Sequence, residues 1–363
     1  MSAPVVELSA GRIAGTSDGG VLIFRGIPYA GSPAGARRFG PPLPVVPWTG
    51  LRQATSYGPT AVQPPPPPAR LDGGAEIPQG EDCLVLNVWT TGLTGARPVL
   101  FWIHGGGFST GSGSAPWYDG SALAARGDVV VVTVNHRLGL LGFLDLAELA
   151  GDALADSANA GMLDLIAALR WVRGHIASFG GDPGRVTIFG ESGGGGKVAT
   201  LLAMPDAAGL FHRAAIQSGI FRGGPGQLLQ GPERAAAIAH RVVAELGSVD
   251  ELRRAPAARL LEIQRAVEAE RTPGTASVMA FCPTVDGRVV TDHPQAAVAA
   301  GASAEVPLII GTNRDEVTLF LWLSDEAFRA DPLGWSPDDD TLAARLAGSC
   351  GGRTVEIVEQ YRA

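Results

Sequence analysis

Ser192 stands in Gly190-Glu191-Ser192-Gly193-Gly194, a serine bracketed by glycines in the pattern G-x-S-x-G. Such a serine is a nucleophile when a sharp turn exposes its hydroxyl and a base takes its proton. The glycines remove side chains that would collide at the turn. The pattern alone is weak, because the chain has 50 glycines in 363 residues and Gly107-Phe108-Ser109-Thr110-Gly111 satisfies it too. Context separates the two. Val186-Thr187-Ile188-Phe189 reads as a buried strand before Ser192, and Lys197 to Met204 reads as a helix after it. Ser109 leads into Gly111-Ser112-Gly113-Ser114, which is loop composition. Ser192 is therefore the expected nucleophile and Ser109 a loop serine. A phosphate-loop reading fails, since Glu191 and Val198 stand where glycine and Ser or Thr are needed. Lys197 is then expected to be a solvated side chain of the first helical turn.

Acyl transfer by serine also needs donors for an oxyanion and an acid that orients the base. His104-Gly105-Gly106-Gly107-Phe108 follows the apolar strand Val99–Ile103. Backbone amides of this glycine run can approach a substrate oxygen without obstruction, and with that of Gly193 they form a three-donor hole. Glu316 ends Gly311-Thr312-Asn313-Arg314-Asp315-Glu316, after the strand 306–310, which is expected to be buried. It fits the orienting acid, or it is an ordinary surface carboxylate beside Arg314 and Asp315.

These residues need a scaffold. Val5 to Phe24 predicts small antiparallel strands at an edge. Buried strands follow at 84–89, 99–103, 129–134, 186–189, 214–217 and 306–310, with a long helix from Asn159 to Phe179 that stops at Gly180-Gly181-Asp182-Pro183. Alternation of strand and helix predicts an α/β fold, a mostly parallel central sheet with helices on both faces. The glycine run, Ser192 and Glu316 then fall at the C-terminal ends of strands, where such sheets carry their sites. Helical patterning over Pro232–Glu270 suggests an insertion, within about 220–300, in a single domain of 1–363. Weaker helical segments are expected at 341–346 and 354–361. The five prolines from Pro64 to Pro68 form a stiff surface loop or a polyproline ligand.

A net charge of −8 argues against nucleic acid as a partner. Cys83, Cys282 and Cys350 show no metal-ligand spacing, so neither a metal nor a cofactor is expected. No signal peptide or membrane-spanning stretch is read from the sequence, and the expected location is the cytoplasm. Oligomeric state is not legible.

Eight motifs, in order, resemble the type-B carboxylesterases, the α/β-hydrolase family of bacterial para-nitrobenzyl esterases and animal cholinesterases. They are FRGIPYA (24–30), EDCLVLNVW (81–89), HGGGF (104–108), NHRLG (135–139), GGDP (180–183), GESGG (190–194), QSG (217–219) and GTNRDE (311–316). The resemblance implies hydrolysis of small carboxylic esters through an acyl-enzyme, a Ser–Glu–His triad containing Ser192 and Glu316, and an oxyanion hole from Gly106, Gly107 and Gly193. The chain also departs from the family. The family's histidine follows the acid, whereas His104, His136, His175, His212, His240 and His293 all precede Glu316. The expectation is a family member lacking its C-terminal part, or a non-catalytic interaction protein on the same fold. Gly193 replaces the usual alanine, with an expected loss of helix stability of roughly 1 kcal/mol. Ala61 stands at the position where secreted relatives place the cysteine that pairs with the counterpart of Cys83.

Overall fold

The computed structural model describes residues 3–65, 78–219, 229–270, 279–316, 318, 330, 338, 340 and 351–362. Most of the proline run, Phe221, Cys350 and the 341–346 pattern lie outside the described residues.

The strands are β1 (Val5–Leu8), β2 (Gly11–Ala14), β3 (Thr16–Asp18), β4 (Val21–Pro28), β5 (Leu51–Gln53), β6 (Val85–Thr90), β7 (Arg97–Ile103), β8 (Val130–Val134), β9 (Gly181–Glu191), β10 (Arg213–Gln217) and β11 (Leu308–Gly311). Among the described residues, β1, β2 and β5 form a small sheet, and eight strands form the main one in the order β11-β10-β9-β7-β8-β6-β4-β3. Pairing is parallel from β11 through β8 and antiparallel from β8 through β3. The expected sheet is thus mixed, with its parallel half carrying the candidate site and the predicted N-terminal strands closing the other end.

Val-Val-Val-Thr-Val of β8 is buried on both faces, as an unalternating β-branched run in a covered sheet must be. One face packs Val21, Ile23, Trp89 and Val131 under Ala124 of helix α1 (Ser121–Gly127). The other belongs to a larger core. It includes Phe24, Phe101 and Val132 from the sheet, with Leu165, Leu169 and Val172 from the predicted long helix. The chain forms α2 (Gly139–Phe143), α3 (Ala147–Ala150) and then that helix as α4 (Ala160–His175), which ends in a 3₁₀ turn at Ile176–Phe179. Phe179 packs edge-on against Phe24 at 5.1 Å.

The Gly-Gly-Asp-Pro segment does not simply break structure. Gly180 takes a left-handed φ of 72°, and Gly181 already opens β9, paired with Arg97 before a register shift. Beyond β9 come α5 (Gly193–Ala203), then the predicted helical stretch as α6 (Pro232–Ala244), α7 (Val249–Arg254) and α8 (Ala257–Ala269), then α9 (Pro294–Ala299). Val242, Leu252, Leu260 and Ile263 of these helices join the core that underlies the sheet. A further helix covers Thr354–Arg362, where one was expected.

One expectation about the sheet is wrong. The apolar strand near Ile309 is not buried: all four residues of β11 are exposed, Ile309 by 76 %. β11 pairs only with β10, so among the described residues it is the edge of the main sheet.

Candidate active site

Ser192 lies between β9 and α5, with φ 53° and ψ −120°. A non-glycine residue pays steric strain there, so the surrounding contacts must impose it. Those contacts are visible. The Ser192 amide donates to the Gln217 carbonyl at 2.8 Å, and its carbonyl accepts from Gly196 at 3.0 Å. A Cβ on Gly190 would lie 2.5 Å from the backbone of Gly194, and one on Gly194 would lie 2.1 Å from the Ile103 carbonyl oxygen. The turn is therefore pressed directly against the end of β7.

β7 delivers the glycine run beside it. Gly106 and Gly107 have φ of 87° and 64°. A Cβ on Gly193 would come within 2.3 Å of the Gly107 carbonyl oxygen and 2.5 Å of its nitrogen. The three predicted donors are thus gathered at the start of α5. Besides its cost in helix stability, Gly193 lets the loop lie closer to the helix than a side chain would allow unless the loop gave way.

Glu316 stands just past β11. Its Oε1 accepts from the Ser218 hydroxyl at 2.5 Å and from the Asn313 amide at 2.6 Å. The hydroxyl, then the amide, hold this carboxyl below the usual carboxylate range. Ser218 follows β10 and itself has a positive φ of 52°, so two neighbouring strand ends cooperate to fix the acid. Glu191 is pushed the other way, by loss of solvent first and by the charge of Glu316 second. That coupling links the serine turn to the loop after β11.

All six histidines have engagements of their own. His104 and His136 are buried and stacked with centroids 4.9 Å apart, and each donates through Nδ1 to a backbone carbonyl, Gly105 and Arg137 respectively. Burial, then the charge of Lys197, pushes His104 down to about 3. His175 donates to the Trp171 carbonyl and meets the Ser9 hydroxyl. His212 accepts from the Val186 amide, His293 accepts from the Gln295 amide at the start of α9, and His240 faces Glu148 at 3.4 Å.

Sequence reasoning misplaced Lys197. It is not solvated but fully buried, with Nζ donating to the carbonyls of Gly107 at 2.8 Å and His104 at 3.2 Å. The available signal was α5 itself, whose Gly, Val, Ala and Leu residues leave no polar face to point at water. Sequence reasoning also passed over Thr110 and Ser218, which orient the glycine loop and the acid. Ser109 is confirmed in a loop, donating to Glu268 at 2.7 Å. Among the described residues, no group of three or more His, Cys, Asp or Glu side chains is gathered as metal ligands.

The mixed sheet, with a serine on a strained strand-to-helix turn at its middle, defines an α/β-hydrolase fold. The chain belongs to the carboxylesterase family, whose sequence pattern matches residues 2–337. It is 42 % identical over 322 residues to the para-nitrobenzyl esterase of Bacillus subtilis (strain 168), covering 88 % of this chain and 64 % of that protein. It is 38 % identical to the phenmedipham hydrolase of Pseudarthrobacter oxydans, covering 99 % of this chain and 69 % of that one. The crystal structure of Geobacillus stearothermophilus carboxylesterase EST55 superposes with a TM-score of 0.84 at 43 % identity, covering 99 % of this chain and 70 % of that chain. The chain thus spans about two thirds of the length of these relatives.

Proposed function

We propose that the protein hydrolyses small, neutral, mostly apolar carboxylic esters through an acyl-enzyme on Ser192. The observation that carries this reading is the packing of Gly107 onto Gly193 beside the strained Ser192. A carbonyl carbon attacked by the Ser192 oxygen, its proton passing to a general base that later returns it to the leaving alcohol, would place its developing oxyanion toward the amides of Gly106, Gly107 and Gly193. The start of α5 adds favourable dipole at the same point. Collapse of the tetrahedral intermediate expels the alcohol, and water then releases the acid. Glu316, held charged by Ser218 and Asn313, is the acid that orients the base. The engagements of the six histidines support a base other than any of them. We assign the described parts to one α/β-hydrolase unit, with α6, α7 and α8 as its helical insertion. No helix among the described residues is long and apolar enough to cross a membrane. A cytoplasmic site of action is supported by the free thiols of Cys83 and Cys282.

Two assays test the reading. Para-nitrophenyl butyrate should be turned over and Ser192→Ala should not turn it over, while an organophosphonate should add its mass to the peptide holding Ser192. Turnover that survives Ser192→Ala would overturn the assignment. The same histidine engagements favour a second reading, a non-catalytic binding protein on this fold. An unlabelled Ser192 together with absent turnover would select it.

A further inference from the structure

Of the 28 lysine and arginine side chains in this sequence, 27 are arginine, and the single lysine is Lys197. It is fully buried, and burial alone pushes its ammonium down to about 7. Among the described residues, no carboxylate forms an ion pair with it. An ammonium taken out of water without a counter-ion costs several kcal/mol unless other groups receive its protons. Here the receivers are two backbone carbonyls, His104 and Gly107, and the face of Phe108, whose ring centre is 5.1 Å from Nζ.

Those carbonyls complete a pattern. Every carbonyl from 104 to 108 has a protein donor. Lys197 takes those of His104 and Gly107, and the His104 ring takes that of Gly105. The Thr110 amide and hydroxyl take that of Gly106 at 3.1 and 3.0 Å, and the Gly139 amide takes that of Phe108 at 2.7 Å. With its carbonyls turned inward and tied, the loop leaves the amides of Gly106 and Gly107 without a protein acceptor among the described residues. Three successive glycines have no intrinsic preference that would hold such an arrangement. The titratable groups beside Nζ are His104 at the end of β7 and His136 after β8, both kept neutral by burial.

We propose that Lys197 is a positioning residue of the oxyanion hole, which pins the glycine loop through the carbonyls of His104 and Gly107 so that its amides face the reacting ester. It touches the loop rather than the substrate. The proposal rests on the esterase reading above for its catalytic meaning, but the pinning itself does not.

The test compares the full chain with Lys197→Met, which keeps the bulk and removes the donors, and Lys197→Gln, which restores one. In Lys197→Met, hydrogen exchange of the buried amides of His104, Gly105 and Phe108 should quicken by about tenfold or more while β8 stays protected. On para-nitrophenyl butyrate, kcat should fall about 10²-fold with KM within about twofold, and Lys197→Gln should recover part of the loss. The melting temperature of Lys197→Met should be unchanged or higher, since a buried lone charge is gone. Unchanged loop exchange would overturn the proposal, as would exchange that rises everywhere with a lowered melting temperature. If the wild-type chain shows no turnover and its Ser192 is not labelled, the esterase reading fails, and the exchange comparison still decides the role of Lys197. One measurement needs no variant. Lysine labelled with ¹⁵N at Nζ gives one side-chain resonance, expected to titrate at about 7. Titration near the free value of about 10.4 would place the ammonium in water and overturn the proposal.

Discussion

β9 and β11 lie in the same parallel half-sheet and each leads to a residue of the candidate site, yet they are embedded in opposite ways. β9 is held between β7 and β10, with Val186 and Ile188 essentially inaccessible. Its serine turn is clamped on one side by Ile103 and on the other by Gln217. Among the described residues, β11 pairs on one edge only and exposes all its residues. Glu316 is held by a local pair of hydrogen bonds instead, from Ser218 and Asn313. The difference teaches that a nucleophile in a strained backbone needs the core around it. A charged acid can be fixed by a few donors at the rim.

That contrast can be broken or sharpened by substitution. Ser192→Ala should lower kcat by roughly 10⁶ without a change in melting temperature, because the clamp acts on the backbone and not on the hydroxyl. Glu316→Gln should lower kcat by roughly 10⁴, again with little effect on thermal unfolding; a large drop in melting temperature would show that the rim is as integrated as the elbow. Gly193→Ala should lower kcat by no more than about tenfold, because its methyl shifts the Gly107 loop while the backbone donor is kept. Steady-state kinetics beside circular dichroism would separate that displacement from unfolding. The pH dependence of stability should also report on the buried side. Lys197 titrates at about 7 in the fold and near 10.4 in the unfolded chain. Between those values the unfolded state binds the extra proton, so stability should rise as pH climbs through that window and flatten below about 7. Thermal melts of wild type and Lys197→Met across pH 6 to 10 check this, since the variant should lose the rise. The smallest effect belongs to the exposed edge, where Ile309→Thr should change stability by no more than about 0.5 kcal/mol.

Much of the scaffold was legible because its signals are local. Short apolar runs marked β6 to β10, glycines marked the turns, and the ordered motifs placed Ser192, the glycine loop and Glu316 on strand ends. Several of those motifs act structurally. Arg137 of NHRLG forms a buried pair with Asp164 of α4 at 2.6 Å, and Tyr29 of FRGIPYA donates to the Asn135 carbonyl at 2.7 Å. What stayed hidden depends on neighbours distant in sequence. Leu308-Ile309-Ile310 has the composition of a buried strand, and composition cannot reveal which strand stands at the edge of the sheet formed by the described residues. Lys197 has the default of a solvated cation, and only the closing of β7 over α5 supplies the carbonyls that receive it. Gly193 reads as a weakened helix start, and its closeness to Gly107 comes from a loop distant in sequence.

A chain whose one lysine is sealed inside it has a surface almost empty of primary amines. Reagents and supports that couple through lysine amines would find none exposed among the described residues, while the arginines keep the exterior charged. A protease that cuts after lysine alone would find no accessible bond in the folded chain.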